Sequence, residues 1–131
     1  MGHNEAERRE FFRLNFKSPL QIKFYDSKVG STVQDADSRN ISQNGILFQT
    51  GDNPPRLSSL VWMNLDIRTL KICREIESRA LILNNGVLGK VVRVEEDADQ
   101  GNAYDVGVCF LKKDQKESRE VKSILNELGD R

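Results

Sequence analysis

The chain has no net charge, because 20 basic residues cancel 20 acidic ones over its 131 positions. That balance excludes a generic binder of polyanions such as a nonspecific DNA-binding protein, so recognition of any anion has to be local. Histidine is nearly missing. The single one, His3, lies in the opening tail, which removes the serine and cysteine triads that depend on an imidazole. Cysteine is scarce as well. Cys73 and Cys109 are too few for a secreted disulfide framework, lack metal-ligand spacing, and read as small apolar side chains. No glycine-rich phosphate loop or zinc-type spacing occurs, and no carboxylate pair stands in an acid–base motif. The expectation is therefore a protein that is not an enzyme and holds neither metal nor cofactor. No apolar run approaches membrane-spanning length, the start MGHNEAERRE has no apolar signal-peptide core, and Ala6 breaks the myristoylation pattern. These absences lead us to expect a cytoplasmic protein. There is no internal repeat and no low-complexity tract. Hydrophobic content of 37% and charged content of 31% suit one small domain with much surface, long enough to bury a core without staples.

What the chain does have is a succession of short alternating segments. LNFKSPLQIKFYD sets Leu20, Ile22 and Phe24 against Gln21, Lys23 and Tyr25, the two-residue period of a half-buried strand. Pro19 confines that run to an edge or a bulge. SKVGS supplies a glycine turn, and STVQDADSRNIS reads as a mostly polar strand. ISQNGILFQTGDNPP contains a turn, a short strand through Ile46, Leu47 and Phe48, and a loop closed by Pro54 and Pro55. LVWMNLDI is a further strand, with Trp62 its large core or rim residue. In RTLKICREIESRALIL, the residues Ile72, Cys73, Ile76 and Ala80 fit a helical face, while Leu70, Ile72 and ALIL fit strands; the neighbouring strands favour strand. Asn84 to Gly86 read as a hairpin turn, since asparagine and glycine tolerate positive φ. VLGKVVRVEED and YDVGVCFLKK pair around the acidic loop EEDADQGNA. Val121, Ile124, Leu125 and Leu128 then fall at helical spacing, stopped by Gly129. Six or seven short strands and one final helix spell an all-β chain, a small antiparallel barrel. The expected layout is a single domain over 1–131, with a flexible N-terminal segment at 1–13, the barrel at 14–112 and a C-terminal α-helix at 114–128.

Two stretches carry chemistry. ERREFFRLNF crowds Arg8, Arg9 and Arg13 among three phenylalanines. Glu5 lies four residues before Arg9 and Glu10 three before Arg13, so a solvated helix is the simpler reading of these ten residues alone. The same guanidiniums also suit an anion clamp, because each binds phosphate oxygens or guanine through paired hydrogen bonds. NISQNG, residues 40–45, is a turn by its Asn44-Gly45 pair. Asn40, Ser42 and Gly45 also form a small polar cup: a hydroxyl donor, a group able to read a base edge, and a glycine that lets backbone approach a ligand.

Arg9-x-x-x-Arg13 followed by Asn40-x-Ser42-x-x-Gly45 resembles the paired signature of the PilZ domain, RxxxR and (D/N)xSxxG, and both motifs are intact. The resemblance continues through GKVVRVEED, YDVGVCFLKKD and the C-terminal segment, and so spans nearly the whole chain. It implies a six-stranded antiparallel PilZ-type barrel that binds the bacterial second messenger cyclic di-GMP. By that resemblance Arg9 and Arg13 meet phosphates and a guanine O6/N7 edge, Ser42 bonds near a phosphate, and Gly45 holds the turn. Asn40 faces the guanine N1–H and N2–H₂ donors, where it offers one acceptor and an aspartate would offer two. Arg8 implies an intercalated, stacked pair of ligand molecules. Arg93 is a candidate to stack on a guanine face, with a solvent-facing barrel residue as its plain alternative. Ligand would draw the opening segment onto the barrel, and an effector protein would read the new surface, since no second domain follows in this chain. Two rivals are a PilZ-like adaptor that works by protein contacts without the nucleotide, and a barrel binding RNA or single-stranded DNA. The latter needs aromatic platforms among basic residues, whereas the phenylalanines here mostly occupy core-like positions.

Overall fold

In the computed structural model, which describes residues 14–15, 18–26, 30–51, 53–64, 73–83, 86–99, 101–115, 119 and 121–122, alternation of residue type becomes alternation of burial. Over Gly45–Thr50 the side chains of Ile46, Phe48 and Thr50 are buried and those between them half-buried. The elements in chain order are β1 (Leu14–Asn15), β2 (Pro19–Asp26), β3 (Gly30–Ile41), β4 (Gly45–Thr50), β5 (Leu60–Asn64), helix α1 (Cys73–Arg79), β6 (Ile82–Leu83), β7 (Gly86–Glu96) and β8 (Tyr104–Phe110). Neighbours run β3, β2, β5, β7, β8, β4, and β4 pairs back onto β3. Six antiparallel strands therefore close a barrel, as the sequence led us to expect. The two-residue strands β1 and β6 add to β3 and β7 outside that ring.

Ile22, Ile41, Phe48, Val61, Met63, Val91 and Val106 fill the interior and are fully buried. Removing each from water stabilises by about 1.5–3 kcal/mol. Pro19 opens β2 opposite Asp37, while β5 pairs only with Gln21–Phe24. Its missing N–H thus falls where the second edge of β2 has no ladder to feed.

Residues 73–79, expected as strand, form helix α1 instead. Ile76 and Ala80 are buried in the barrel core while Arg74, Glu77, Ser78 and Arg79 face water. Four-residue spacing of two small apolar groups between charges outweighs the strand-like pattern on either side. A second apolar cluster, Leu60, Leu81, Leu88, Leu111 and Val121, lies against the outer wall with Trp62 packed on it. Gly86, expected in the turn, begins β7 opposite Leu83; a Cβ there would collide with the Trp62 indole, so bare backbone is needed for packing. Asn84 and Asn85 lie outside the described residues. Asp114 and Gln115, expected to begin the C-terminal α-helix, instead belong to a 3₁₀ turn, Lys113–Gln115. Gln115 closes it from both ends: its backbone N–H donates to the Lys112 carbonyl at 2.9 Å, and its Oε1 accepts from the Lys112 N–H at 2.7 Å. Arg119, Val121 and Lys122 have helical backbone, and the rest of 114–128 lies outside the described residues. So does the segment 1–13, with its expected flexibility. No described helix is long and apolar enough to cross a membrane.

Candidate functional site

The hairpin between β3 and β4 is built by the serine and glycine of NISQNG. The Ser42 N–H donates to the Gly45 carbonyl at 2.8 Å, and the Asn44 N–H donates to Ser42 Oγ at 3.2 Å. β8 holds the turn from the other side, where the Phe110 N–H donates to the Asn44 carbonyl at 2.7 Å. A Cβ on Gly45 would run into the Val108 carbonyl oxygen. The turn therefore lies flat on β8 only because position 45 has no side chain.

From that turn an outward-facing row crosses four strands in register: Asn40 on β3 pairs with Leu47 on β4, Leu47 with Gly107 on β8, and Gly107 with Arg93 on β7. With strands about 4.8 Å apart, the row spans roughly 14 Å. Ser42, Asn44, Gly45 and Val92 border it, and together these residues line a concavity of 240 Å³. Gly107 is its floor, and a Cβ there would come within 3.3 Å of the Arg93 Cβ. Two bulges flank the row. One inserts Arg39 between Ser38 and Asn40, and the other inserts Val92 between Val91 and Arg93. Such bulges bend a strand and re-aim the side chains beside them.

Of the site residues expected from sequence, Asn40, Ser42, Gly45 and Arg93 meet at this one concavity. Arg8, Arg9 and Arg13 lie outside the described residues. The chain immediately after Arg13 is described, however, and β1 pairs Leu14 with Ile41 and Asn15 with Asn40. Ser38 secures the same region. Its buried hydroxyl donates to the Ser18 carbonyl and accepts from the Ser18 N–H, both at 3.0 Å, so the strand entry and the bulge are tied together.

Arg93 is paired within its own strand, its Nη2 lying 2.8 Å from Glu95 Oε1. The hydrogen bond and charge of Glu95 raise the guanidinium's affinity for its proton, and the same bond holds the Glu95 carboxyl below the usual carboxylate range. Both side chains are more than half exposed, so water and salt screen the pair. Its small contribution is present above the unfolded carboxylate pKa and lost as pH falls through the depressed one.

One residue pair further along the strands, a second outward row runs Asp37, Gln49, Asp105, Glu95. Gln49 links it: the side-chain amide donates to Asp97 Oδ2 at 2.7 Å and to Asp105 Oδ1 at 3.1 Å. A larger hollow of 680 Å³ beyond this row is lined, among the described residues, by Asp35 and Asp37 and by no lysine or arginine, a lining that disfavours anions. Among the described residues no cluster of three histidine, cysteine or acidic side chains could hold a metal. Val92, Gly107 and the Arg39 bulge are parts of the surroundings that sequence reasoning missed; only the glycine within an alternating strand gave a signal.

The described residues thus form a small closed barrel with a polar turn and a cross-strand row on its outer wall. The chain belongs to the PilZ domain family, whose sequence model matches residues 7–127. PilZ domains are binding and adaptor modules for cyclic di-GMP. No curated protein sequence matches the chain.

Proposed function

We propose that the chain is a cyclic di-GMP receptor and adaptor that holds the nucleotide between the arginines of its opening motif and the row Asn40–Leu47–Gly107–Arg93. The observation that carries this is the pairing of Leu14 with Ile41, because it brings the residue after Arg13 beside the Asn40–Gly45 turn. Two motifs distant in sequence are then brought to the same end of β3, β1 on one of its edges and β4 on the other. Arg9 and Arg13 take the phosphates and a guanine O6/N7 edge, Ser42 donates its hydroxyl, Asn40 reads the guanine N–H edge, and Arg93 stacks on a base. Arg8 adds the positive charge that a second, stacked ligand molecule needs. Binding draws residues 1–13 onto the barrel, and a partner protein in the bacterial cytoplasm reads the surface so ordered.

Calorimetric titration of cyclic di-GMP into the purified protein and its Arg9→Ala variant tests this. Binding by the parent that is lost in the variant supports the clamp, and a stoichiometry near two supports the stacked pair. A folded parent that takes up no nucleotide leaves the adaptor that works by protein contacts alone.

Two affinities follow. Asn40→Asp supplies a second acceptor to guanine and is expected to tighten binding about fivefold; equal or weaker binding by titration removes the assigned contact. Glu95→Gln releases Arg93 from its carboxylate partner and is expected to tighten binding about two- to fivefold at low salt. The gain should shrink as ionic strength rises, and a titration at two salt concentrations that finds none excludes Arg93 from the ligand.

A further inference from the structure

Two guanidiniums stand beside the bulges, Arg93 lining the concavity and Arg39 next to Asn40 just outside its lining, and the two are held differently. Arg93 is neutralised by a carboxylate, Glu95. Arg39, which neither sequence motif includes, donates from Nη2 to Gln49 Oε1 at 2.8 Å, a neutral acceptor. The orientation of that amide follows from its other contacts. Asp97 and Asp105 only accept, so the Gln49 nitrogen must face them and its oxygen must face Arg39. Gln49 therefore stands between Arg39 and two carboxylates, holding the cation by one donor and keeping it out of a direct ion pair. That bond is the one the Arg39 side chain makes to another side chain among the described residues, and a guanidinium has five donors. Arg39 is also half-buried and adjoins Asn40 at the bulge, which limits the freedom lost on binding.

Resting on the cyclic di-GMP reading of this site, we propose that Arg39 is a further ligand-binding residue, donating from the barrel wall to a phosphate oxygen of the nucleotide, and that Gln49 is its positioning residue. Removal of Gln49 lets Arg39 collapse onto Asp97 and Asp105, so an uncharged side chain outside the concavity controls affinity within it.

The test is a double-mutant cycle by calorimetric titration of cyclic di-GMP into the full chain, with Arg39→Ala, Gln49→Ala and the double variant, each checked for folding by thermal unfolding. Arg39→Ala is expected to weaken binding about tenfold or more. Gln49→Ala should weaken it about threefold or more, and the double variant should bind no worse than Arg39→Ala alone. Arg39→Lys, which keeps the charge without the fork, should retain the parent's salt dependence and recover part of the affinity. Arg39→Ala binding as tightly as a parent that does bind overturns this proposal and leaves the receptor reading intact. Strictly additive losses in the cycle overturn the role of Gln49. A folded parent that binds no cyclic di-GMP overturns the receptor reading, and this proposal with it.

Discussion

Gly45→Ala is expected to lower the melting temperature by roughly 5–15 °C and to weaken cyclic di-GMP binding at least tenfold. The reason is the identity of what the new methyl group would meet. Its three nearest neighbours are the Val108 carbonyl oxygen and carbon and the Cys109 Cα, all main-chain atoms of a strand paired on both sides. None can swing away as a side-chain tip could. Relief requires the Gly45–Cys109 end of the β4–β8 ladder to open, and overpacking of this kind costs about 1–3 kcal/mol. Because the Ser42 N–H bonds the Gly45 carbonyl and the Phe110 N–H bonds the Asn44 carbonyl, the shift carries the polar cup with it. Thermal unfolding and titration of the same preparation check both halves. An alanine variant with unchanged melting temperature and affinity would show that the turn does not rest on β8 as described.

Phe48→Ala is expected to cost about 3–5 kcal/mol of stability, a large share of the roughly 5–15 kcal/mol that separates folded from unfolded states. Phe48 is fully buried, stands opposite Ser38 on one side and Val106 on the other, and belongs to the barrel core. Strands close around it from both flanks, so the cavity has little room to collapse. Denaturant titration should show a lower midpoint with an unchanged slope, and a loss under about 1 kcal/mol would mean the barrel interior repacks freely. Phe48 lies between Leu47 of the site row and Gln49 of the acidic row. Binding measured well below the variant's melting point should therefore persist, which separates a stability effect from a site effect.

Much of this was legible in the chain. The alternation in ILFQT became the inward and outward faces of β4, and GKVVRVEE with YDVGVCF became β7 and β8 in register. The NISQNG turn, and with it Asn40, Ser42 and Gly45, came from residue chemistry that only a few positions satisfy. Helix α1 lost out to strand in the sequence because its helical face, Ile76 with Ala80 just past its end, is embedded in a stretch whose ends alternate like strand. Gly86 stands opposite Leu83 at the hairpin expected there, but its place beneath an indole was hidden because nothing nearby in sequence announces Trp62. The bulges at Arg39 and Val92 have no local signature at all. They arise from how far one strand must travel relative to its partner, a property of pairs of strands. Gln49 is hidden for the same reason, since Asp97 and Asp105 are 48 and 56 positions away.

The row that forms the concavity has a history in time as well as a place in space. Asn40 and Leu47 belong to one hairpin, β3–β4, and Gly107 and Arg93 to another, β7–β8. Each hairpin pairs residues near in sequence and can arise early. The seam that joins them, β4 on β8, matches Gly45 with Cys109 and Thr50 with Tyr104, and contacts so distant form slowly because a long loop must first be closed. Neither hairpin alone contains the row. The proposed barrel-side footprint for the nucleotide therefore comes into being only when that seam zips, and a nucleotide bound there would act as a latch across it, slowing the parting of the two halves without hastening their meeting.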